Sequence, residues 1–456
     1  MDLTSRLRSI VRGGAPAREL TCEPDTGGYE AVMDIVKVGA VLGGTPVQTT
    51  FGQCLVIDRR YEADRFHGDI RIGDCDVTNA EGLSILDPGL PSPESRVPSP
   101  GTRRTIFIDL ETTGLSGGAG TVAFLVGCGY FDMGAFQVRQ FLLTSYASER
   151  ALLAAVADFF EGADLIVTYN GKTFDVPVME TRWSFHRLAM PLDGVPHFDM
   201  LHPARRLWRN REGASRDSGL GTRGSGLDSQ QPGGEGCRLS ALERVLFGVR
   251  RVGDVPGFEI PGRFFQFLRN GDPRPLEPVL EHNRIDLVSL AAVTAHAARL
   301  ASEGPVACRD CAEALALGRI YERADDFGRA EACYRRALQS DSVDVLGETL
   351  YRLGLRLRRE RRFGEAALIW RQALALTESR SVRRHLHLAA LRRFAAEALA
   401  IHHEHRERNL ESARELALFA LEDSDPRQAD DVRHRLARLE RKMGQAGEQQ
   451  TLDPHL

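Results

Sequence analysis

The 456 residues are enough for two or three domains, and 42% hydrophobic with 27% charged residues is a globular balance. The 59 Lys and Arg against 63 Asp and Glu give a net charge of −4, so no overall basic excess points to a nucleic-acid partner. No stretch approaches the roughly 20 apolar residues of a membrane helix, and the opening MDLTSRLRSIVRGG lacks the apolar segment of a secretory signal. With only eight cysteines, the chain is predicted to be cytoplasmic and to have no membrane partner.

Residues 1–100 contain short alternating apolar and polar runs, which predict a β-rich accessory region. This region ends in a segment with five prolines between residues 87 and 101, which we interpret as a linker.

An α/β pattern follows over residues 101–302. Apolar runs predict strands at residues 105–109, 122–131, 136–143 and 165–169. The turn at residues 132–134 predicts that the second and third of these strands pair as a hairpin. Helical spacing predicts helices at residues 148–160, 176–188, 264–268 and 285–300. A stretch at residues 211–236 holds eight glycines and four serines, which predicts a disordered surface insertion.

From residue 305 to about residue 445 the sequence is helical and repetitive. Five positions recur 36 residues later, in the pairs Leu317 and Leu353, Gly318 and Gly354, Ala330 and Ala366, Tyr334 and Trp370, and Ala337 and Ala373. These small and aromatic positions resemble the tetratricopeptide repeat. Because two or three repeats barely sustain a solenoid alone, we expect the array to pack on the preceding domain.

The run FIDLETTGL, residues 107–115, carries the strongest chemical signal. Asp109 and Glu111 are two residues apart on a predicted strand, so both side chains point to one face. Neighbouring carboxylates repel each other unless a cation lies between them, and their hard oxygen atoms suit Mg²⁺ or Mn²⁺. The apolar residues before them and Thr-Thr-Gly after them argue against a merely solvated face.

Two further acids have comparable settings. Asp175 follows the strand at residues 165–169, and Asp286 lies at the start of a predicted helix. His282 lies about one helical turn before Asp286, where it is placed to act as a general base near neutral pH. We expect the remaining candidate, Asp199, to cap the following helix instead.

The runs DLETTGL, YNGKTFD and HNRID resemble the three exonuclease motifs of the DEDD (DnaQ-like) group within the ribonuclease H-like superfamily. The leader TIFIDLETTGLSGGAGTVAFLVGCG, the segment FDMLHPARRLW and the helical repeats resemble the bacterial YprB-like exonucleases. The resemblance implies a ribonuclease H-like α/β domain, with a mixed central sheet flanked by helices, followed by tetratricopeptide repeats. It also implies a 3′–5′ exonuclease that hydrolyses phosphodiester bonds by a two-metal mechanism.

Site roles follow from the same resemblance. Asp109, Glu111 and Asp286 would hold the first of two Mg²⁺ or Mn²⁺ ions, Asp109 and Asp175 would contact the second, and His282 would deprotonate the attacking water. One departure concerns the base: three residues separate His282 from Asp286, whereas members with a catalytic histidine usually have four.

Contacts to the terminal nucleotide are implied by family analogy for Thr112, Thr113, Gly114 and Leu115, with termination of the strand as the alternative role of Gly114. Lys172 lies in the second motif and suits a phosphate contact, with a solvated lysine as the alternative reading.

Residues 352–393 hold 12 arginines against three acids. Arg352, Arg356 and Arg359 share one face of a predicted helix. This face predicts either a groove that tracks nucleic-acid phosphates or a surface that docks a protein.

Family context suggests single-stranded 3′ ends as substrate and favours DNA over RNA, although no residue of the sequence distinguishes the two. It also suggests DNA repair, with a helicase or another repair protein as candidate partner of the repeats. The alternative is a repeat-based interaction scaffold with a weakly active or inactive nuclease-like domain. The intact set of four acids favours the enzyme.

Overall fold

A computed structural model describes residues 34–77, 81–91, 104–114, 120–209, 237–378, 386–422 and 426–452. The predicted insertion at residues 211–236 lies outside the described residues, as do Leu115 and most of the predicted linker.

One mixed sheet forms the centre of the α/β region. Its strands are β1 (Thr45–Thr49), β2 (Gly52–Tyr61), β5 (Thr105–Thr112), β6 (Ala123–Asp132), β7 (Ala135–Leu142), β8 (Leu165–Thr168) and β9 (His197–Asp199). Two short strands, β3 (Phe66–His67) and β4 (Ile70–Arg71), pair separately. The order in the sheet is β1-β2-β7-β6-β5-β8-β9. β5, β8 and β9 run parallel, whereas the other neighbours are antiparallel.

The predicted hairpin of β6 and β7 is present, and the backbone geometry of its turn explains why a glycine stands at position 134. Met133 and Gly134 both have positive φ, 48° and 76°. A two-residue turn of this kind matches the right-handed twist of the flanking strands.

The N-terminal residues belong to the central sheet. β1 and β2 extend it beyond β7, and Asp58 on β2 forms an ion pair with Arg139 on β7 at 2.7 Å. The alternating run at residues 54–57 indicated a strand but not its partner, because the pairing residues are 81 positions apart in sequence. The segment predicted as a β-rich accessory region thus supplies two strands of the central sheet.

Helices cover the sheet and complete the α/β region. They are α1 (Ile35–Leu42), α2 (Gly82–Leu86), α3 (Glu149–Phe160), α4 (Asp175–Phe185), α5 (Leu201–Trp208), α6 (Leu239–Phe247), α7 (Ile260–Asn270) and α8 (Glu277–Glu303). α8 begins eight residues before the predicted start at residue 285. Pro278 lies in its first turn, where the missing amide proton costs nothing.

α8 is also the long apolar helix of the described chain. By length and composition, the span Arg274–Ala307, which includes α8, is long and apolar enough to cross a membrane. This corrects the prediction that no stretch approaches that length. Because 78% of the apolar window is buried inside the protein, it has the character of a core helix.

The C-terminal region is helical throughout the part that the structure describes. Its helices are α9 (Cys311–Arg323), α10 (Phe327–Ala337), α11 (Val343–Arg359), α12 (Phe363–Glu378), α13 (Leu386–His402), α14 (Leu410–Glu422) and α15 (Pro426–Leu452). The 36-residue period has a packing reason. A Cβ atom at Gly318 would clash with the Tyr334 ring, and one at Gly354 with the Trp370 ring. A small residue on one helix thus admits a large ring from the next.

The helical region packs directly on the α/β region. One buried apolar cluster continues from Phe107 on β5, through α8, to Leu399 on α13. At the junction, the Trp208 indole donates to the fully buried Glu313 at 2.8 Å, and its ring stacks on His296.

Candidate active site

Strand order brings three of the predicted acids to one edge of the sheet. Asp109 and Glu111 lie near the end of β5, where a bulge between Glu111 and Thr112 interrupts the pairing with β6. Asp175 is the first residue of α4, shortly after β8. Because β5 and β8 are parallel, their carboxyl ends meet at the same edge, which is where open α/β sheets place their sites.

Asn283 fixes α8 against this edge. Its side-chain amide donates to Asp109 Oδ2 at 2.8 Å and to the Asp109 carbonyl at 3.1 Å, and it accepts from Gln140 at 2.8 Å. Asn283 is fully buried, and the absence of a side chain at Gly127 leaves room for its amide. This bridge holds Asp286, three residues later on α8, beside the acids of β5.

The acids are close enough to affect each other's protonation. Burial, followed by repulsion from Asp286 and other acids of the set, raises the pKa of both Asp109 and Glu111 well above their usual values. Burial and the neighbouring Asp199 raise the pKa of Asp175 to about 7. The structure therefore gathers Asp109, Glu111, Asp175 and Asp286 into one electrostatically coupled set.

Asp199 supports the set from outside it. Its carboxylate accepts from the backbone amides of Asn170 at 2.8 Å, Lys172 at 3.0 Å and Leu201 at 3.1 Å. Asp199 thus contacts the first residue of α5 through the Leu201 amide and holds the loop that leads to Asp175.

Arg251 is a buried cation beside the acids that sequence analysis missed. It donates to Glu243 at 2.6 and 2.9 Å, to Asp254 at 3.2 Å, and also to Asp286. Glu243 is itself buried and accepts from Ser289 on α8. Arg251 thus ties the loop after α6 to the acid set and offsets part of its negative charge.

His282 is oriented by a carboxylate of the same loop. Its Nδ1 atom lies 2.6 Å from Asp254, and its Nε2 atom lies 3.5 Å from Asp286 Oδ2. Burial alone would raise the pKa of Asp254, but its contact with His282 lowers it overall, so the carboxylate is ionised at neutral pH. An ionised partner favours the proton on Nδ1, which leaves Nε2 able to accept one beside the acids.

The donor set fits a divalent metal ion by its chemistry. Among the described residues no three His, Cys, Asp or Glu side chains converge into a ready-made metal site, and Asp286 is paired with Arg251. The four acids nevertheless offer only hard oxygen atoms, and their mutual repulsion is what a bound cation relieves. Nucleases with ribonuclease H-like domains generally use divalent metals, and Mg²⁺ and Mn²⁺ prefer such ligands.

The residues predicted to contact the terminal nucleotide shape the loop after β5. The Thr112 hydroxyl donates to the Gly114 carbonyl at 2.9 Å, and the Thr113 hydroxyl accepts from the Val122 amide at 3.0 Å. Lys172 forms an ion pair with Asp87 at 3.3 Å.

The three arginines of α11 are not equally available. Arg352 pairs with Glu322 and Glu348, both at 2.9 Å, and Arg356 pairs with Glu360 at 2.8 Å. Arg359 is exposed and makes no ion pair with the described residues. All three lie in the helical region. Because Arg352 and Arg356 are paired with glutamates there, two of the expected phosphate-binding charges are already compensated.

Sequence signals existed for some of the missed residues but not for all of them. Asn283 stands next to His282 inside the third motif, so its place was visible although its bond to Asp109 was not. Arg251 and Asp254 lie in an irregular loop with no periodicity, and Asp254 is 28 residues from the histidine that it orients.

Comparisons with known proteins place this geometry in context. A family model described as the RNase H superfamily matches residues 106–298, a range that includes all four acids and His282. The uncharacterized protein YprB of Bacillus subtilis (strain 168) is 30% identical over 342 residues, which is 74% of each chain. A family B DNA polymerase from the hyperthermophilic archaeon Pyrobaculum calidifontis aligns with a TM-score of 0.30 and 14% identity. That alignment covers 50% of this chain and 30% of the polymerase, and it is too distant to support an inference.

The predicted fold class is confirmed: a ribonuclease H-like mixed sheet with flanking helices precedes an all-helical region. The DEDD subgroup and the tetratricopeptide identity of the helices stay predictions.

Proposed function

We propose that this chain is a metal-dependent 3′–5′ exonuclease. It belongs to the same family as Bacillus subtilis YprB and carries a ribonuclease H superfamily domain. The observation that carries the proposal is the cluster of four acids from β5, α4 and α8, with a histidine oriented by Asp254 beside it. We take DNA as the substrate and repair in the cytoplasm as the setting, with RNA as the alternative that the assay below separates.

Each residue of the site has a distinct role in this reaction. Bound divalent ions would lower the pKa of the attacking water and stabilise charge on the attacking and leaving oxygens. Asp109, Glu111, Asp175 and Asp286 would hold these ions. His282 accepts the proton of the water at Nε2, and Asp254 keeps the ring in place and stabilises the imidazolium that forms. Asn283 keeps Asp109 aligned with α8.

The scaffold alternative fits the electrostatics less well. Burying several acids that raise one another's pKa costs folding free energy unless a cation compensates them. A domain used only for docking has no need of such an arrangement, whereas a metal-dependent enzyme does.

The proposal is tested by a time course with end-labelled single-stranded DNA, duplex DNA and single-stranded RNA, in Mn²⁺, Mg²⁺ or EDTA. A 5′ label should give a ladder that shortens one nucleotide at a time, and a 3′ label should appear at once as mononucleotide. Asp109→Ala and Asp286→Ala should abolish both products while the fold survives. Internal cuts, or degradation that persists in EDTA or in these variants, would contradict the proposal.

A further inference from the structure

A groove opens in the C-terminal region between α12 and the end of α13. Its floor is apolar, formed by Ala366, Ala367, Ala398 and Ile401. The cavity measures about 240 Å³, less than the roughly 300–1,000 Å³ of typical small-molecule sites. Its size suits one bulky anchoring side chain rather than a whole cofactor.

The rim of the groove is cationic. Arg358 and Arg406 are exposed at its edge, and no ion pair among the described residues includes either of them. Two arginines of α11 and α12 behave differently, since Arg356 pairs with Glu360 and Arg371 with Glu407. The groove therefore presents two guanidinium groups without a described carboxylate partner, which is a surface complementary to an acidic ligand.

The aromatic residues of the groove do not offer a stacking platform. The Trp370 ring is 2% exposed and packs against Tyr351 and Phe394. The face of Phe363 is covered by the Arg406 guanidinium at 4.1 Å. Single-stranded nucleic acid is held largely by bases stacked on free aromatic faces, so the groove favours an aliphatic side chain over a nucleobase.

An irregular turn forms one wall of the groove. Residues His403–Glu407 form a π-helix immediately after α13. It turns Glu404 inward, where it binds Arg438 and Lys442 of α15 at 2.7 Å each, and leaves Arg406 at the groove. Such π-helical turns are frequent at functional sites, and the inward anchor holds this wall in place.

We propose that this groove docks an acidic segment of a partner protein. A bulky aliphatic side chain of the segment fills the apolar floor over Ala367 and Ala398. Flanking carboxylates of the segment reach Arg358 and Arg406. The proposal does not depend on the nuclease chemistry, because it uses no residue of the acid set.

The test uses the full chain and a panel of fluorescein-labelled synthetic dodecapeptides, read by fluorescence anisotropy. Each peptide carries one leucine or methionine flanked by aspartates and glutamates at varied spacing. Matched peptides replace the carboxylates with amides or the aliphatic residue with glycine. At least one acidic peptide should bind, and both matched versions should bind at least tenfold more weakly.

Variants of the protein locate the site. The double variant Arg358→Glu with Arg406→Glu should weaken binding at least tenfold, and Ala398→Phe should do the same by filling the floor. The control is Arg433→Glu, which reverses the charge of an exposed arginine of α15 outside the groove. It should leave peptide binding unchanged. If the phenylalanine variant fails to fold, the arginine variants decide the result.

Two results would overturn the proposal. One is that no acidic peptide of the panel binds more tightly than its amide-matched version. The other is that the double arginine variant loses binding to a labelled twelve-residue oligothymidylate but loses binding to none of the peptides. That result would assign the groove to nucleic acid. Exonuclease activity on single-stranded DNA should be the same in all these variants.

Discussion

Asp109 carries a conflict between stability and function. Its folded pKa lies well above the ordinary value of 3.8, first because of burial and then because of Asp286 and Glu111. For an acid whose pKa is raised on folding, the ionised form disfavours the folded state, so stability falls as pH rises above the unfolded value. The unligated protein at neutral pH is therefore destabilised by this carboxylate.

Asp109→Asn should accordingly stabilise the metal-free protein. We expect a gain on the order of 1 kcal/mol, which corresponds to a rise in Tm of roughly 2–4 °C. Excess Mn²⁺ should raise the Tm of the wild-type protein and have little effect on the variant. Thermal denaturation with and without Mn²⁺ measures both, and Asp158→Asn at an exposed position of α3 is the control. A variant that is less stable, or that still responds fully to Mn²⁺, would count against the acid set as a metal site.

Asp254 should act through His282 and not independently of it. Asp254→Asn should lower kcat about 10²-fold, and His282→Ala roughly 10²–10⁴-fold, because a general base contributes rate factors of that size. If Asp254 only positions the ring, the double variant should be no slower than His282→Ala alone. Single-turnover rates of the wild type, the two single variants and the double variant test this. If the rate losses of the two single variants multiply in the double variant, the two residues act independently and the pairing is contradicted.

At the scale of elements, the π-helical turn after α13 holds the last helix through one carboxylate. The Glu404 side chain is completely buried and contacts Arg435, Arg438 and Lys442 of α15. Burial alone would raise the pKa of Glu404, but hydrogen bonds from Arg438 and Lys442 lower it to about 2. Because the folded pKa is depressed, the stabilisation is present above the usual value of 4.5 and is lost as pH falls toward 2.

Glu404→Gln should loosen α15 while the central sheet stays intact. Glu404 is buried, but the Arg438 and Lys442 side chains are each 42% exposed, so water compensates part of their lost contact, and we expect a local loss of roughly 1–3 kcal/mol. Hydrogen exchange read by mass spectrometry should show faster exchange in α15 and unchanged exchange in β5 and β6. Glu411→Gln, at an exposed position of α14, is the control. Unchanged protection of α15 would show that the apolar contacts of this helix hold it without Glu404.

Sequence patterns predicted where strands and helices lie better than they predicted which of them pair. The hairpin of β6 and β7 was visible because its turn and both strands are contiguous. The pairing of β2 with β7 was not visible, because residues such as Asp58 and Arg139 meet only after the chain has folded. The site shows the same division, since motifs located the four acids and His282, whereas Arg251 and Asp254 reach them from a loop without a pattern.

At the scale of the whole molecule, the α/β region and the first helical pairs share one apolar core. Glu313 lies at their junction, where it accepts from the Trp208 indole at 2.8 Å and from the Arg309 amide at 2.6 Å. The Trp208 indole is buried and the Arg309 amide is half-buried. Truncation of Glu313 would leave both donors without this acceptor.

Glu313→Ala should therefore destabilise both regions in one transition. The expected loss is roughly 1–3 kcal/mol for each donor left without a partner. Thermal unfolding followed by tryptophan fluorescence and by far-ultraviolet circular dichroism should show one shifted midpoint common to both probes. Two separate midpoints, with only the helical signal shifted, would show that the regions fold independently.

The central claim is that the acid set at the edge of the sheet makes this chain a metal-dependent exonuclease. Its most direct test is the rate of mononucleotide release from 3′-labelled single-stranded DNA in Mn²⁺, measured for the wild-type protein and for Asp109→Asn. We predict that the wild type releases mononucleotides and that EDTA stops the release. We predict a rate at least 10³-fold lower for the variant, which should be folded and no less stable. Equal release by the two proteins, or no release by the wild type, would contradict it.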